Sequence, residues 1–178
     1  MLRAAKRKEV HMSIFKQSGG RLVAAANGRA IPLSEVPDEA FASGMLGTGF
    51  AVRPTDGAIF CPAEGKLMSI SEARHAYTIE TKDGLELLLH IGIDTVSLGG
   101  RGFSPLAAVG DALAAGDPLA RVELDVLHEA GLDPSVVVLI SNSERISRPR
   151  VRPGAVRGGH DVAMTYEVNK KAAAGGAS

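Results

Sequence analysis

The sequence has no Trp, and only 4% of its residues are aromatic. Proteins that bind single-stranded nucleic acids stack bases on aromatic side chains, and this chain has few residues for such a platform. Its charges balance, with 20 Lys and Arg residues against 20 Asp and Glu residues. A large net field, which would favour DNA, RNA or an acidic membrane surface, is therefore excluded. We expect no nucleic-acid partner.

Cysteine and long apolar runs are equally scarce. Cys61 is the only cysteine, so no intrachain disulfide can form, which fits a reducing compartment. We interpret it as a small buried hydrophobic residue. No run reaches the roughly 18–20 apolar residues that span a bilayer, and no apolar stretch of a signal peptide follows the basic N-terminus. We therefore expect a cytoplasmic protein without a transmembrane segment.

Turn-forming residues are plentiful, with 21 Gly and nine Pro. They separate short β-like runs, a spacing typical of an all-β protein, and we predict an antiparallel β-sandwich or flattened barrel with short helical segments. The predicted strands are 21–26, 49–53, 58–61, 65–70, 75–81, 85–93, 118–124, 136–140 and 161–167. Brief helices are predicted at 34–35, 38–42 and 125–130, the last with Asp125 as its N-cap.

The two ends of the chain differ from its middle. Residues 1–20 are basic and then rich in Gly and Ser, which predicts a flexible linker or leader. Residues 169–178 are of low complexity and predict a disordered tail. The folded domain is therefore predicted to span residues 21–168.

Two histidines frame a predicted hairpin. His75 and His90 lie on its two arms, and Asp83-Gly84 between them favours a two-residue type I′ turn. With that turn Tyr77 pairs with His90, and His75 lies on the same face because side chains alternate along a strand. Such diagonal neighbours are roughly 7–8 Å apart, so both imidazoles would face one pocket. A register slip of one residue would place them on opposite faces.

The predicted surroundings of His90 favour a nucleophile. Leu88, Ile79 and Tyr77 are expected on the same face, so burial should lower the pKa of the imidazole and keep it neutral. Two converging imidazoles can hold a phosphoryl group or a metal ion. Asp94 marks either the rim of a cleft or a solvated strand end, and both interpretations stay open.

Other catalytic chemistries have less support. Zinc needs three or four ligands, and His11, His128 and His160 are scattered, so we predict no metal site within the chain. A zinc ion completed by a ligand from another protein, or a zinc hydrolase, stays an alternative. The sequence has neither a Gly-x-x-x-x-Gly-Lys-[Ser/Thr] phosphate loop nor a Gly-x-Ser-x-Gly elbow.

Residues 47–142 closely resemble the glucose-type IIA component of the bacterial sugar phosphotransferase system, and the resemblance continues more loosely from about Arg21 to Val168. The most specific segment is His90-Ile-Gly-Ile-Asp-Thr-Val96, with a second His fifteen positions upstream. The other segments that carry it are Gly47-Thr-Gly-Phe-Ala-Val-Arg-Pro54, Pro62-Ala-Glu-Gly-Lys66, His75-Ala-Tyr-Thr-Ile-Glu80, Gly102-Phe103 and Val137-Val-Leu-Ile-Ser-Asn142.

This resemblance implies a compact antiparallel β-sandwich whose His90 accepts a phosphoryl group on Nε2 from the phosphocarrier protein HPr. The group would pass to a cysteine of a IIB domain, and the permease would use it to phosphorylate incoming sugar. His75 would donate a hydrogen bond to the phosphoryl oxygens without being phosphorylated. Phosphoryl transfer depends mainly on positioning and electrostatic stabilisation, and the reacting group arrives on another protein, so no cofactor is implied.

The resemblance also implies a partner-binding surface around the pair. It would consist of the apolar positions Phe41, Met45, Leu46, Leu88 and Val96, with Asp94 nearby. From the sequence alone, Phe41 and Met45 could equally be core residues. A regulatory module that docks on transporters or metabolic enzymes according to its phosphorylation state, with little phosphoryl flux, is the alternative function. The sequence does not indicate which sugar is transported.

One segment departs from the family pattern. The family usually has Glu-Thr-Asn-His where this chain has Glu72-Ala73-Arg74-His75. The change removes a hydroxyl that would support the hydrogen bonds around the pair, and Arg74 adds a positive charge. We expect the departure to affect partner preference more than chemistry.

Overall fold

The computed structural model describes residues 19–169. In this range the chain forms thirteen β-strands, two α-helices and three 3-10 helices. The strands are β1 (Gly19–Val23), β2 (Ala26–Pro32), β3 (Thr48–Phe60), β4 (Gly65–Ile70), β5 (Ala76–Thr81), β6 (Glu86–Ile91), β7 (Phe103–Pro105), β8 (Ala112–Leu113), β9 (Pro118–Val122), β10 (Val136–Ile140), β11 (Ile146–Val151), β12 (Gly154–Val156) and β13 (Val162–Val168). The α-helices are α1 (Glu39–Ala42) and α2 (Leu124–Glu129), and the 3-10 helices are Leu33–Glu35, Thr95–Leu98 and Ser143–Arg145.

The predictions for the two ends fall mostly outside this range. β1 begins at Gly19, so Gly19 and Gly20 lie in a strand and not in the predicted linker. The rest of that linker, and the predicted tail after Asn169, lie outside the described residues. Within residues 19–169, no helix has the length and apolar character needed to cross a membrane.

The strands form two antiparallel sheets. The small sheet has the order β1-β13-β11, and the large one has the order β12-β2-β3-β10-β6-β5-β4-β8. Strand β3 changes neighbours along its length, because Thr48–Val52 pairs with β10 whereas Ala58–Phe60 pairs with β9. Strand β9 also pairs with β7. The predicted all-β antiparallel fold is confirmed.

The central strand β10 separates two apolar clusters. Val136, Val138 and Ile140 face the main core between the sheets, where β6 contributes Leu87, Leu89 and Ile91. On the other face of β10, Val137 and Leu139 join a smaller cluster. The remaining buried members of this smaller cluster are Ile31, Leu33, Val36, Phe41, Ala51 and Ile93. Because His90 is the register partner of Val137, its side chain emerges on the side of the smaller cluster.

Several predicted element boundaries are wrong for identifiable reasons. The predicted strands 49–53 and 58–61 are parts of the one continuous strand β3, which is exposed in its middle at Thr55 and Asp56. The predictions omit strand β11, which contains Pro149; proline is tolerated on an edge strand, where β11 lies. Helix α2 begins at Leu124 after Glu123, without a side-chain cap, so Asp125 is not its N-cap.

Candidate functional site

The hairpin that carries the histidines has a three-residue loop. Gly84 adopts a left-handed conformation (φ 75°), and the Leu85 N–H donates to the Thr81 hydroxyl over 3.1 Å. The register therefore pairs Ala76 with His90 and Tyr77 with Leu89. The predicted Tyr77–His90 pairing is wrong by one residue, because Lys82-Asp83-Gly84 closes as the longer loop with a left-handed glycine at its end.

The register change moves Tyr77 and Ile79 to the main core, away from His90. Both are completely buried there. Leu88 stays on the same face as His90, as predicted, and packs against the smaller cluster. The residue across the strand from Leu88 is Thr78. The apolar surroundings predicted for His90 therefore come from Leu88 and the smaller cluster.

The two imidazoles nevertheless meet. His75 lies just before β5, next to Arg74, whose left-handed backbone (φ 58°) interrupts the strand alternation. The His75 carbonyl accepts from the Ile91 N–H over 2.7 Å, which holds His75 beside the end of β6. The ring centroids of His75 and His90 are 4.8 Å apart, with the ring planes at 84°. The predicted pair thus forms because His75 lies outside the regular strand.

A backbone carbonyl fixes the orientation of His90. Its Nδ1 lies 2.7 Å from the oxygen of Gly92, and since a carbonyl only accepts, Nδ1 must carry the proton. Nε2 is left as the nitrogen with a free lone pair. Gly92 is buried with φ 73°, and a Cβ there would collide with Thr95 and press against Leu127. The Thr95 hydroxyl holds the same loop by donating to the Ile91 carbonyl over 2.6 Å.

A serine hydroxyl orients His75. The Ser71 Oγ lies 3.2 Å from Nδ1 of His75 and accepts from the Ala76 N–H over 3.1 Å. The hydroxyl oxygen accepts from the backbone, and its own hydrogen can be donated to Nδ1. When it is donated in this way, the imidazole proton is on Nε2. Ser71 therefore supplies a hydroxyl in a segment where the family pattern has Thr in place of Ala73.

Burial favours the neutral form of both rings. It lowers the pKa of His75 below its usual 6.5 and makes the largest contribution to lowering the pKa of His90. Charge repulsion from His75 lowers the pKa of His90 further, while the Gly92 carbonyl and the carboxylates of Asp38 and Asp94 oppose the shift. The net effect leaves an unprotonated Nε2 on His90, which is the nucleophilic form.

The predicted partner residues divide into buried and exposed groups. Phe41 is 7% exposed, and its ring lies against His90 with a centroid separation of 5.2 Å, so it forms a wall of the site. Met45 (81%), Leu46 (44%) and Val96 (62%) are exposed. We name these three side chains the apolar rim. They follow Phe41 and His90 closely in the chain, so their place on a partner-binding surface stays a prediction.

Two acidic residues, Asp38 and Asp94, lie near His90. Asp38 caps helix α1 by accepting from the Phe41 N–H over 3.1 Å, which helps to place Phe41. Asp94 is exposed and left-handed (φ 59°) in the loop that leads to Val96. This exposure fits both of its predicted interpretations, the rim of a cleft and a solvated strand end.

Metal-binding capacity is low in the described part of the chain. Within residues 19–169, no three His, Cys, Asp or Glu side chains converge in a way that could hold a metal ion. Cys61 is buried, and burial raises the pKa of its thiol to about 11, so the thiolate is disfavoured. It is therefore a poor nucleophile, and the prediction that Cys61 is buried is confirmed.

Sequence reasoning missed Ser71 and the Gly92 carbonyl. A signal for Ser71 was present, since Ser is favoured at the first position of a turn, and the Arg74 N–H donates to the Ser71 carbonyl over 2.9 Å. No comparable signal marks the carbonyl of Gly92, because every residue has one. Glycine at position 92 indicates only an unusual backbone conformation.

Comparison with known proteins places this chain in a family. Residues 20–146 match the model of the family described as phosphoenolpyruvate-dependent sugar phosphotransferase system, EIIA 1. A glucose-specific EIIA component of Staphylococcus epidermidis is 36% identical over 140 residues, which are 79% of this chain and 81% of that protein. The solved structure of the glucose permease IIA from Mycoplasma capricolum matches with a TM-score of 0.75 and 36% identity, over 83% of this chain and 95% of that one.

Longer relatives contain a similar sequence as one part of their length. A glucose-specific EIICBA component of Streptococcus pneumoniae is 42% identical over 142 residues, which are 80% of this chain but 19% of that protein. A glucoside-specific EIICBA component of Staphylococcus carnosus is 35% identical over 22% of its length. This chain thus spans about a fifth of these relatives. By its family match and its similarity to proteins of comparable length, the chain belongs to the EIIA 1 family of the phosphoenolpyruvate-dependent sugar phosphotransferase system.

Proposed function

We propose that this chain is a phosphoryl carrier that accepts a phosphoryl group on Nε2 of His90 and passes it on toward sugar. The observation that supports this most directly is the contact between two imidazoles whose Nδ1 atoms each have a partner, the Gly92 carbonyl and the Ser71 hydroxyl. Only the two Nε2 atoms remain free to contact an incoming phosphoryl group. One of them carries a lone pair and the other a proton.

The phosphoryl group moves by exchange of one bond to phosphorus for another. The lone pair of His90 Nε2 attacks phosphorus, the bond from phosphorus to the donor atom breaks, and its electron pair stays on the donor. The His90 ring gains positive charge as the new bond forms. Its Nδ1 proton stays in place and donates more strongly to the Gly92 carbonyl, which stabilises that charge. Transfer to the next acceptor reverses these changes.

His75 acts on the transferring group itself. With its proton on Nε2, it donates a hydrogen bond to a phosphoryl oxygen, where negative charge is spread in the transition state. Ser71 is a positioning residue, because it holds Nδ1 of His75 and thereby selects the tautomer. Since the rings are perpendicular and half-sheltered, little reorganisation is needed when the phosphoryl group arrives.

The exposed apolar rim is the proposed docking surface. Met45, Leu46 and Val96 present apolar side chains to solvent and lie within six residues of Phe41 or His90 in the chain, which suits transient protein contacts near the pair. HPr is the proposed donor, and a cysteine of a IIB domain is the proposed acceptor. The relatives named EIICBA components favour an acceptor of this system, which would place the protein in the cytoplasm beside a permease.

The direct test uses phosphoenolpyruvate, enzyme I and HPr as the phosphoryl source. The wild-type protein should acquire one acid-labile phosphohistidine, and His90→Ala should abolish it. His160→Ala is the matched control, because His160 is exposed and outside the site, and it should retain the label. Full labelling of His90→Ala would exclude His90 as the acceptor.

A second measurement separates flux from regulation. A IIB domain and sugar are added to the labelled protein, and transfer to sugar is followed. A carrier should pass its phosphoryl group on with repeated turnover, whereas a purely regulatory module should keep it and change only its binding partners. One tightly bound zinc ion per chain in the purified protein, together with hydrolytic activity, would instead support the zinc hydrolase.

A further inference from the structure

The outer face of the small sheet carries a cavity unrelated to the histidine site. We name it the arginine cavity; its volume is about 600 Å³. Strands β1, β11 and β13 form its floor, and its charged lining residues are Arg21, Arg148, Arg150, Arg152 and Glu167. Leu22, Met164 and Tyr166 of the same sheet face the main core. The arginine cavity therefore lies across that core from the face that bears His90.

Strand register brings the arginines together. Arg21 on β1 and Arg150 on β11 are both partners of Thr165 on the central strand β13. With strands about 4.8 Å apart, the Cα atoms of the two arginines are about 10 Å apart, a distance that two long side chains can close around one ligand. Arg152 directly follows the end of β11 and also lines the cavity. The half-buried Thr165 adds a hydroxyl donor between them.

The charges in the cavity are not balanced. Glu167 is its only acidic lining residue and pairs with Arg148 at 3.4 Å. Arg21, Arg150 and Arg152 form no ion pair within residues 19–169. Holding three such cations on one small surface is unfavourable unless an anion is present. Guanidinium groups match the oxygens of a phosphate group with paired hydrogen bonds.

The cluster also contrasts with the rest of the domain. Seven Lys and Arg residues but one acidic residue, Glu9, lie outside residues 19–169. Because the whole chain is neutral, the described part has more acidic than basic residues. An excess of positive charge in one cavity is therefore a local feature against an acidic background.

Backbone strain marks the same place. In residues 19–169, three residues other than glycine have positive φ: Arg74, Asp94 and Arg148. The first two lie at the histidine site. Arg148 (φ 50°) lies in a bulge of β11 beside the arginine cavity. Such conformations are strained and are concentrated at functional sites, and bulges redirect side chains.

From the register, the unbalanced charge and the strained Arg148, we propose that the arginine cavity binds a ligand bearing a multivalent phosphate group. Arg21, Arg150 and Arg152 would contact its oxygens, and Thr165 would donate one further hydrogen bond. This site is separate from the phosphoryl group on His90. Its phosphate can come from a soluble molecule or from a lipid headgroup.

The test is calorimetric titration with inorganic pyrophosphate at low ionic strength. The wild-type protein should bind pyrophosphate. The double variant Arg21→Gln with Arg150→Gln should lose about tenfold or more of this affinity. Arg121→Gln is the matched control, because Arg121 is exposed on β9 and outside the cavity. Its affinity should be unchanged. If the double variant does not fold, Arg152→Gln alone serves as the test.

A second arm distinguishes the source of the phosphate. Sedimentation is measured with phosphatidylcholine vesicles that contain or lack phosphatidic acid. Binding to the acidic vesicles that requires Arg21 and Arg150, without binding of pyrophosphate, supports the site with a lipid as its ligand. The proposal is overturned if neither probe binds, or if Arg121→Gln weakens binding as much as the double variant does.

Discussion

The histidine site and the arginine cavity lie on opposite sides of one hydrophobic core, and they prepare their polar groups in different ways. At the histidine site, burial keeps two ionisable rings neutral, and fixed partners occupy both Nδ1 atoms. In the arginine cavity the side chains are exposed, permanently charged and mostly unpaired within the described residues. The first arrangement suits reaction with an incoming group, and the second suits attraction of an anion.

The comparison shows what neighbouring structure must supply in each case. The neutral nucleophile at His90 needs apolar walls and a carbonyl in one position, so its surroundings must be rigid. The arginines need only be brought to the same face by strand pairing, since long side chains can adjust to a ligand. We therefore expect the histidine site to be far more sensitive to small substitutions.

Gly92→Ala should have the largest effect. The added methyl group meets Thr95 and Leu127, and the backbone is left-handed there, so we expect a loss of about 3 kcal/mol in the free energy of unfolding. Gly99→Ala is the control, because Gly99 is also left-handed (φ 59°) but nothing lies within 4 Å of an added Cβ. It should lose about 1 kcal/mol. Equal losses in denaturant unfolding would contradict the packing argument.

His75→Gln should reduce phosphoryl transfer without preventing phosphorylation of His90. Removing one preorganised donor to the transition state should slow onward transfer about 100-fold. The measurement is the rate at which the isolated phosphoprotein labels a IIB domain. His160→Gln should leave the rate unchanged. A transfer rate near that of the wild type in His75→Gln would remove His75 from the mechanism.

Ser71→Ala should have a smaller effect of the same kind. His75 would keep its place but lose the group that selects its tautomer, so we expect transfer to slow about tenfold. Nitrogen NMR of the imidazoles should show more of the Nδ1–H form of His75. Ser71→Thr should restore both properties, whereas Ser69→Ala, at an exposed position of β4, should change neither. An unchanged His75 tautomer in Ser71→Ala would rule out the positioning role.

The arginine variants should sharpen the contrast between the two sides. Arg21→Gln with Arg150→Gln should leave the rate of His90 phosphorylation within about twofold of the wild type, because surface substitutions of this kind have small effects on the fold. The measurement is the same phosphoenolpyruvate-driven labelling. A large loss would mean that the two faces are coupled and are not independent sites.

The pH dependence of stability should show the smallest effect. Burial lowers the pKa of His90 in the folded protein, so below pH 6.5 the unfolded chain binds more protons at this residue than the folded one. The free energy of unfolding is therefore not reduced by this residue above pH 6.5. It falls as the pH decreases from 6.5 toward the folded-state pKa of His90. His90→Gln should lose less stability than the wild type between pH 7 and pH 5 in thermal unfolding. Parallel curves would contradict burial of the neutral ring.

The sequence could predict the features that depend on neighbouring residues. Alternation and frequent turns gave the all-β class, and Gly65–Ile70 and Val136–Ile140 were predicted with their observed bounds. The two histidines could be singled out because a turn signal lies between them. Their surroundings could not be predicted as well, since Lys82-Asp83-Gly84 fits both a two-residue and a three-residue loop.

The tertiary structure chose between those loops. The carbonyl of Gly84 accepts from Asn142 Nδ2 over 2.9 Å and from Arg145 Nη1 over 3.1 Å, and these side chains lie about sixty positions later in the chain. The same holds for the arginine cavity, where Arg21 and Arg150 meet only because their strands flank β13. Local sequence determined which groups this protein has for its chemistry. Which of them face one another was decided by contacts between distant strands, because the energies that fix a register come from packing and hydrogen bonds formed only in the folded chain.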